Sequence, residues 1–273
     1  MLGAALKEHK RDDFVIITKV APWNFRYDDV IRAANRSLER LGTNFIDLYM
    51  PHYPYPLTPM TGTFRAMERL VKEGKVRFIG TSNFHPIQLK MAQNSLSHEE
   101  IVANEIEYNI LSRRSENRTI PYCVSQKISI VTFSPLAGGM LTGRFTSQYR
   151  PQDRPRAFNF VARNLSETEE LFRVLGDIAR ERGSTMPQVA LGWIVSHHSC
   201  IAIPASLNPQ EAEENSVAGT LTLTQKEIWR INETSPSLPA ATYTFDHYII
   251  RPISWINAVM KNYIARMIRS NPV

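Results

Sequence analysis

Chemically versatile side chains stand at the ends of several short apolar runs in this sequence. Lys19 ends FVIITK, His52 ends IDLYMPH, and Ser82 and Asn83 end VRFIGTSN. Ammonium and imidazole groups suit reactions in which charge develops on oxygen. Each residue also has an ordinary explanation, because strand-end lysines are usually solvated and lone buried histidines usually pack. Their meaning depends on the elements that position them.

Those elements are short strands that alternate with amphipathic helices. Apolar runs predict six strands, at 14–20, 46–52, 76–82, 101–108, 128–134 and 200–204. Helical periodicity predicts helices at 28–41, 63–73, 166–182, 187–196 and 209–221. Gly42, Gly74 and Gly183 follow the first three helices as stop signals. Strand and helix alternating at this spacing indicate a parallel sheet.

A parallel sheet of this kind is either doubly wound or closed into an α/β barrel. No GxGxxG follows an early strand, and the candidate residues end many successive strands, which favours the barrel. With one weak further strand, we expect seven principal strands in an incomplete (β/α)8 TIM-type barrel over residues 1–235. Residues 236–273 contain an amphipathic stretch and are expected to form a C-terminal helical extension packed on the barrel. Docking on a membrane surface or a partner is the alternative.

The amino-acid composition excludes several classes of protein. The 273 residues are 43% apolar and 21% charged, which is typical of a globular protein. The net charge of +6 comes from scattered basic residues, so no nucleic-acid partner is expected. Two cysteines without zinc-like spacing indicate neither a disulfide scaffold nor a metal site. Without a secretory signal or a long apolar span, the protein is expected to be soluble in the cytoplasm, with no membrane partner.

Six stretches carry a specific family likeness. In order, they are LGAALKEHKRDDFVIITKV, SLERLGTNFIDLYMPHYP, MERLVKEGKVRFIGTSNF, ANEIEYN, TFSPLAGGMLTGR and IPASLNPQEAEEN. Together they span roughly residues 2–230 and resemble the aldo-keto reductases, which are nicotinamide-dependent carbonyl reductases on a (β/α)8 barrel. One such stretch is weak evidence, whereas six in register are strong evidence.

The resemblance implies a catalytic tetrad of Asp, Tyr, Lys and His, in which Tyr protonates the carbonyl oxygen. Lys19 and His52 match the lysine and the histidine of that tetrad. In the family, the first barrel strand, the Asp and the Tyr precede the helix that begins here at Leu2, so we expect this sequence to lack them. A misplaced start and a shortened product both remain open as causes. Tyr27 lies in a different loop and is not assigned the acid role.

The resemblance also implies a nicotinamide site. Ser82 and Asn83 match the pair that bonds to the carboxamide, and Glu105 stands where the family commonly has Gln. A carboxylate accepts from the amide NH2 group but cannot donate to the amide oxygen. Phe133 matches a stacking ring, with ordinary core packing as an equal alternative. The following loop would cover the pyrophosphate, and Arg144 could pair with a phosphate. Its matching residues are Ser134, Pro135, Leu136, Ala137 and Gly138.

The last matching stretch corresponds to the adenosine end of the cofactor. Ala205 and Glu211 stand where NADP-preferring members usually carry Lys and Arg, and no basic residue lies between positions 201 and 225. A 2′-phosphate needs positive charge, so the choice between NADP and NAD stays open, and NADH is expected to bind at least comparably to NADPH. The residues matching the adenosine contacts are Ser206, Glu214 and Asn215.

The substrate site is less defined by the sequence. Trp23 and Tyr53 follow the strands of Lys19 and His52 and are expected to line an apolar substrate pocket, exposed loop aromatics being the alternative. The leading function is NAD(P)H-dependent reduction of an aldehyde or ketone. The rivals are a catalytically incomplete cofactor-binding or regulatory protein on the same scaffold and a non-functional fragment. The substrate's identity and the oligomeric state are not readable from the sequence.

Overall fold

A single parallel sheet organises the chain. The computed structural model describes residues 2–55, 59–144, 168–197 and 199–235. The strands follow one another in chain order, which excludes the doubly wound arrangement, where the order reverses. All six predicted strands are confirmed, each within its predicted range. They are β1 Ile17–Val20, β2 Ile46–Pro51, β3 Val76–Ser82, β4 Ile101–Glu107, β5 Ser129–Phe133 and β6 Cys200–Ala202.

The predicted seventh strand is not found in the described residues. Residues 137–142 form a 3-10 helix, and Met186 begins an α-helix, so neither stretch adds to the sheet. Within the described ranges β1 pairs only with β2, and β6 pairs only with β5. The described part of the chain therefore forms a barrel-type sheet of six strands, two fewer than a complete (β/α)8 barrel. The extension predicted at 236–273 lies outside the described residues.

The sheet curls instead of lying flat. Adjacent strands lie roughly 5 Å apart, so the backbones of β1 and β4 would be about 14 Å apart in a flat sheet. Nevertheless the Nζ atom of Lys19 on β1 lies 2.8 Å from a carboxylate oxygen of Glu105 on β4. The concave face also buries a small apolar cluster that includes Leu48, Met50 and Val131. The strand ends are thus turned towards a common interior.

Helices cover the convex face of the sheet. None of those in the described ranges is long and apolar enough to cross a membrane. The helix predicted at 209–221 divides into an α-helix and the 3-10 helix Ala218–Thr220, and the one predicted at 166–182 is described from Glu169. The helices are α1 Leu2–Leu6, α2 Tyr27–Leu41, α3 Met60–Lys72, α4 Pro86–Gln93, α5 Thr119–Ser125, α6 Glu169–Glu181, α7 Met186–Val195, α8 Pro209–Val217 and α9 Gln225–Thr234.

The helical layer packs through the apolar stripes that the periodicity predicts. On α2 the stripe includes Val30, Ala34 and Leu38, all of which are buried in the main core. The helix ends at Gly42, whose φ of +66° is the left-handed conformation that glycine adopts without strain. The N–H of Gly42 donates to the carbonyl of Leu38, which satisfies a terminal backbone group. Local sequence therefore sets both the buried face and the end of this helix.

Candidate active site

The predicted catalytic and nicotinamide-binding residues meet at the carboxyl edge of the sheet. Lys19 lies in β1 beside Met50 of β2, and Ser82 pairs in register with Glu105. The N–H of His52 donates to the carbonyl of Val20 at 3.0 Å, which keeps the residue after β2 against β1. Because all the strands run in the same direction, these residues share one end of the barrel.

Lys19 and Glu105 form a close ion pair in the interior of the barrel. The Lys19 Nζ atom lies 2.8 Å from Glu105 Oε2, and the two side chains are 25% and 5% exposed. Burial raises the pKa of the Glu105 carboxyl above its usual range, although the Lys19 ammonium acts in the opposite direction. The pair lines a pocket of about 320 Å³ whose other walls are apolar, among them Ile17, Phe14 and Ile203.

The turn after β3 has an unusual backbone. Asn83 has a φ of +64°, in the left-handed region that asparagine tolerates better than most residues. Its N–H donates to the carbonyl of Glu105 at 2.7 Å, and its Nδ2 donates to Ser82 Oγ at 3.0 Å. Nδ2 also lies 3.5 Å from the carbonyl oxygen of His52. Asn83 thus joins the ends of three strands, and strained conformations held this firmly cluster at functional sites.

The two predicted substrate-pocket aromatics lie on neighbouring loops. The ring of Tyr53 stacks on that of His52, with centroids 4.2 Å apart and an interplanar angle of 22°. Trp23 lies in the 3-10 helix Pro22–Asn24 after β1, and 56% of it is exposed. Neither residue lines the pocket beside Lys19. Tyr53 therefore contacts His52, whereas Trp23 lies on the surface at the same end of the barrel.

The loop after β5 contains several residues with a left-handed backbone. Ser134 and Ala137 have φ values of +52°, and Gly138 has a φ of +68°. Among the described residues, no atom lies within 4 Å of a Cβ added at Gly138. Phe133 is half-buried at the end of β5, and Pro135 continues the loop. The side chain of Leu136 packs against the main core, so its contribution to the site is structural.

The predicted pyrophosphate and adenosine regions are joined by an ion pair. Arg144 donates through Nη1 to Glu211 Oε1 at 2.8 Å, although 67 residues separate them. Glu211 also accepts from the N–H of Leu207 at 2.9 Å, and these donors lower the pKa of its carboxyl. Nearby, Asn215 Nδ2 donates to Ser206 Oγ at 3.1 Å. The residue predicted to pair with a phosphate is therefore already paired with a carboxylate.

Among the residues predicted to contact the adenosine, Glu214 makes its hydrogen bond through the backbone. Its carbonyl oxygen accepts from Gln188 Nε2 at 3.1 Å, which ties α8 to the preceding helix α7. A second pocket, of about 530 Å³, adjoins this region and is lined by Ser206, Asn215 and Cys200 among mainly apolar neighbours. Ser206 and Asn215, but not Glu214, thus line a cavity between β6, α7 and α8.

Two buried asparagines support the site and were not predicted. Asn104 donates to the carbonyl of Phe84 at 2.9 Å and accepts from Thr81 Oγ1 at 2.9 Å, fixing the turn that contains Asn83. Asn109 donates to the carbonyl of Ser134 at 2.9 Å, fixing the loop after β5. Both are fully buried. Their signal in the sequence is an amide side chain within and just after the predicted strand in IVANEIEYN.

Comparisons with known proteins agree with this geometry. A profile of the aldo/keto reductase family matches residues 1–236. Aldo-keto reductase str7 of Strobilurus tenacellus is 33% identical over 240 residues, covering 84% of this chain and 70% of its own. The NADH-specific methylglyoxal reductase of Escherichia coli is 27% identical over 261 residues, covering 87% and 79%.

A solved structure extends the similarity to the fold. The aldo/keto reductase of Klebsiella pneumoniae in complex with NADP and acetate has a TM-score of 0.71 and 26% identity, covering 88% of this chain and 75% of that one. The fold and these similarities define the class of protein as a barrel-type, NAD(P)-dependent oxidoreductase. The chain belongs to the aldo/keto reductase family.

Proposed function

We propose that this chain binds NAD(P)H at the carboxyl ends of its strands and reduces a small aldehyde or ketone to an alcohol. The observation that carries the proposal is the convergence of Lys19, His52, Ser82, Asn83 and Glu105 at one edge of the sheet. The next two loops add an open glycine turn and a polar cluster at the expected ends of a dinucleotide. We also propose a cytoplasmic location. The free thiols of Cys123 and Cys200 support it, because thiols stay reduced in that compartment.

The residues present fit a nicotinamide dinucleotide. Ser82, Asn83 and Glu105 offer polar atoms to the carboxamide, and Phe133 offers a ring for stacking. The loop 134–138 would cover the pyrophosphate together with Arg144, while Ser206, Glu214 and Asn215 would hold the adenosine. When bound, the reduced cofactor supplies the hydride.

The chain's own residues prepare the carbonyl. His52 orients its oxygen, and the stack with Tyr53 fixes the imidazole plane. The Lys19 ammonium places positive charge where negative charge develops on that oxygen. Trp23 and Tyr53 form the apolar side of the substrate's approach. The substrate is consequently a small carbonyl compound, and no nucleic acid takes part.

Glu211 supports NADH as a cofactor at least as good as NADPH. Its carboxylate accepts from the N–H of Leu207, the residue after Ser206, and a 2′-phosphate at that end of the site would face its negative charge. The similarity to a relative described as NADH-specific supports the same choice. Arg144 does not offset the charge freely, because it is already paired with Glu211.

A cofactor-binding role without turnover is the second candidate function. One observation favours it: no tyrosine lines the pocket of Lys19 in the described residues, and the lysine is paired with Glu105. General acid catalysis typically contributes about 10² to 10⁴-fold to a rate. We therefore expect the 273-residue chain to turn over slowly even where it binds the cofactor.

The test is NADH oxidation followed by absorbance, with methylglyoxal as the probe carbonyl. We expect slow carbonyl-dependent oxidation that falls by at least about tenfold in His52→Gln, because the carbonyl loses its orienting group. The matched control is His98→Gln, an exposed histidine outside the site. NADH binding without any carbonyl-dependent oxidation would favour the second candidate. No binding of NADH or NADPH would contradict both.

A further inference from the structure

The cavity between β6, α7 and α8 is larger than the proposed adenosine contacts require. Its volume is about 530 Å³, and most of its lining is apolar. Among the described residues, no atom lies within 4 Å of a Cβ added at Gly219, and Val195 on the opposite wall is 39% exposed. Several of its lining residues are small, namely Ala202, Ala212, Ala218 and Gly219. An apolar hollow with a polar rim is typical of a surface that another segment or a partner covers.

A segment of the same chain has a matching apolar face. Residues 252–270 lie outside the described part of the structure, and their sequence carries apolar side chains at the spacing of one helix face. These side chains are Ile253, Ile256, Val259, Met260, Tyr263, Ile264 and Met267. A stripe of this size is stabilised by burial against another apolar surface.

The charges of the cavity and of the segment are complementary. The helix α8 forms one wall and contains three glutamates and no basic residue. Glu211 is paired with Arg144, whereas Glu213 and Glu214 form no ion pair within the described ranges. Residues 247–273 contain no Asp or Glu, and their basic residues are Arg251, Lys261, Arg266 and Arg269. The segment is therefore attracted to the acidic wall of the cavity.

The cavity lies close to the end of the last described helix. The indole Nε1 of Trp193 on α7 donates to Asn232 Oδ1 on α9 at 3.0 Å, so α9 packs against a helix that forms a wall of the cavity. The hydroxyl of Ser235 then donates to the carbonyl of Ile110, just after β4. Residues 236–251 can span up to about 50 Å when extended, whereas β4 and β6 are two strand spacings, or roughly 10 Å, apart.

We propose that residues 252–270 dock as an amphipathic helix in the cavity between β6, α7 and α8. The apolar stripe covers Val195, Ala218 and Gly219, and the basic residues face the acidic side of α8. The polar rim, where Asn215 donates to Ser206, stays available to the adenosine end of a cofactor. The inference is independent of the proposed function, because it concerns the packing of the chain on itself.

Photo-crosslinking of the full chain tests the docking. The photoreactive residue p-benzoylphenylalanine replaces either Met260, on the apolar stripe, or Ala265, on the opposite face of the expected helix. Mass spectrometry then identifies the crosslinked peptides. The probe at position 260 should react within one chain with peptides from residues 187–202 or 209–219. The matched control at position 265 should give at least about threefold less of these products, because it faces away from the cavity.

Filling the cavity tests whether the cavity itself holds the segment. Gly219→Leu should lower the yield of the position-260 product by at least about threefold, because leucine occupies the space that the stripe needs. Gly176→Leu makes the same change on α6, where an added Cβ also meets no described atom within 4 Å, and should leave the yield unchanged. Saturating NADH should leave the yield unchanged as well, since the segment covers the apolar surface and not the polar rim.

Several outcomes overturn the inference. Products from other parts of the barrel, no product, or an unchanged yield in Gly219→Leu would show that the segment does not occupy the cavity. Crosslinked dimers would show that it docks on a second copy. Loss of the product in saturating NADH would assign the cavity to the cofactor. Sedimentation of the chain with vesicles of phosphatidylcholine and phosphatidylserine, together with loss of the product, would place the segment on a membrane surface.

Discussion

The carboxylate of Glu227 allows a quantitative prediction about stability. It accepts two hydrogen bonds from the guanidinium of Arg182, both at 2.6 Å, and two more from the N–H and Oγ1 of Thr224. The Arg182 guanidinium is the main reason that the pKa of Glu227 falls from 4.5 to about 2, with burial opposing it. At roughly 1.4 kcal/mol per pKa unit, this corresponds to an upper limit of about 3 kcal/mol.

The actual stabilisation is smaller than this limit, because the Arg182 side chain is 32% exposed and solvent screens the ion pair. We expect Glu227→Gln to reduce the free energy of unfolding by about 1 to 2 kcal/mol at pH 7. A glutamine keeps the capping-box hydrogen bond to Thr224, so the variant removes mainly the charge. Since the folded-state pKa is lowered, the contribution is complete above pH 4.5 and is lost as the pH falls towards 2.

Urea unfolding of the wild type and Glu227→Gln across this pH range is the assay. The difference between the two proteins should shrink as the pH falls below 4.5. Glu181→Gln is the matched control, because that carboxylate is 55% exposed in its pair with Arg230. It should change the free energy by less than about 0.5 kcal/mol. A loss in Glu227→Gln that does not vary with pH, or no loss at all, would refute the reasoning.

Two further predictions concern the site. In urea unfolding, Asn109→Ala should lower the free energy of unfolding by about 2 to 4 kcal/mol, because the carbonyl of Ser134 and the N–H of Leu111 lose their hydrogen-bond partner. The control Asn117→Ala, at an exposed position, should have little effect. A loss below about 0.5 kcal/mol in Asn109→Ala would contradict this prediction. In parallel titrations, the wild type should not favour NADPH over NADH by more than about tenfold, and Glu211→Lys should shift the ratio towards NADPH by about tenfold, or about 1.4 kcal/mol. An equal shift in Glu213→Lys, on the same helix, would indicate a general effect of charge.

Much of the fold could be predicted because its signals are local. Each strand is a short apolar run, and helices such as α2 carry an amphipathic stripe and a terminal glycine. The short helices α4 and α5 were missed, since eight and seven residues are too few to establish a helical period. The weak seventh strand was given no position in the sequence, and it is not found among the described residues, where residues 137–142 and the stretch from Met186 fold as helices.

The residue types of the site could be predicted from the sequence, but the contacts between those residues could not. The motifs place Lys19 and Glu105 at strand ends, but only the curl of the sheet brings β1 to β4. The same holds for Arg144 and Glu211, which were interpreted separately and meet as an ion pair. The left-handed conformation of Asn83 has no signal in the sequence, because asparagine also occupies ordinary loops. Long-range pairing depends on tertiary geometry that residue spacing does not encode.

The most direct test of the nicotinamide-binding account is hydrogen–deuterium exchange of the 273-residue chain with and without saturating NADH. Bound cofactor should slow amide exchange at the turn after β3, at the loop after β5 and between residues 206 and 212, since these segments would lie against it. The N-terminal end of the sheet and the outer helices should exchange at unchanged rates. Protection confined to those outer helices, or no protection under conditions that saturate the homologous reductase of Escherichia coli, would contradict the assignment of the site.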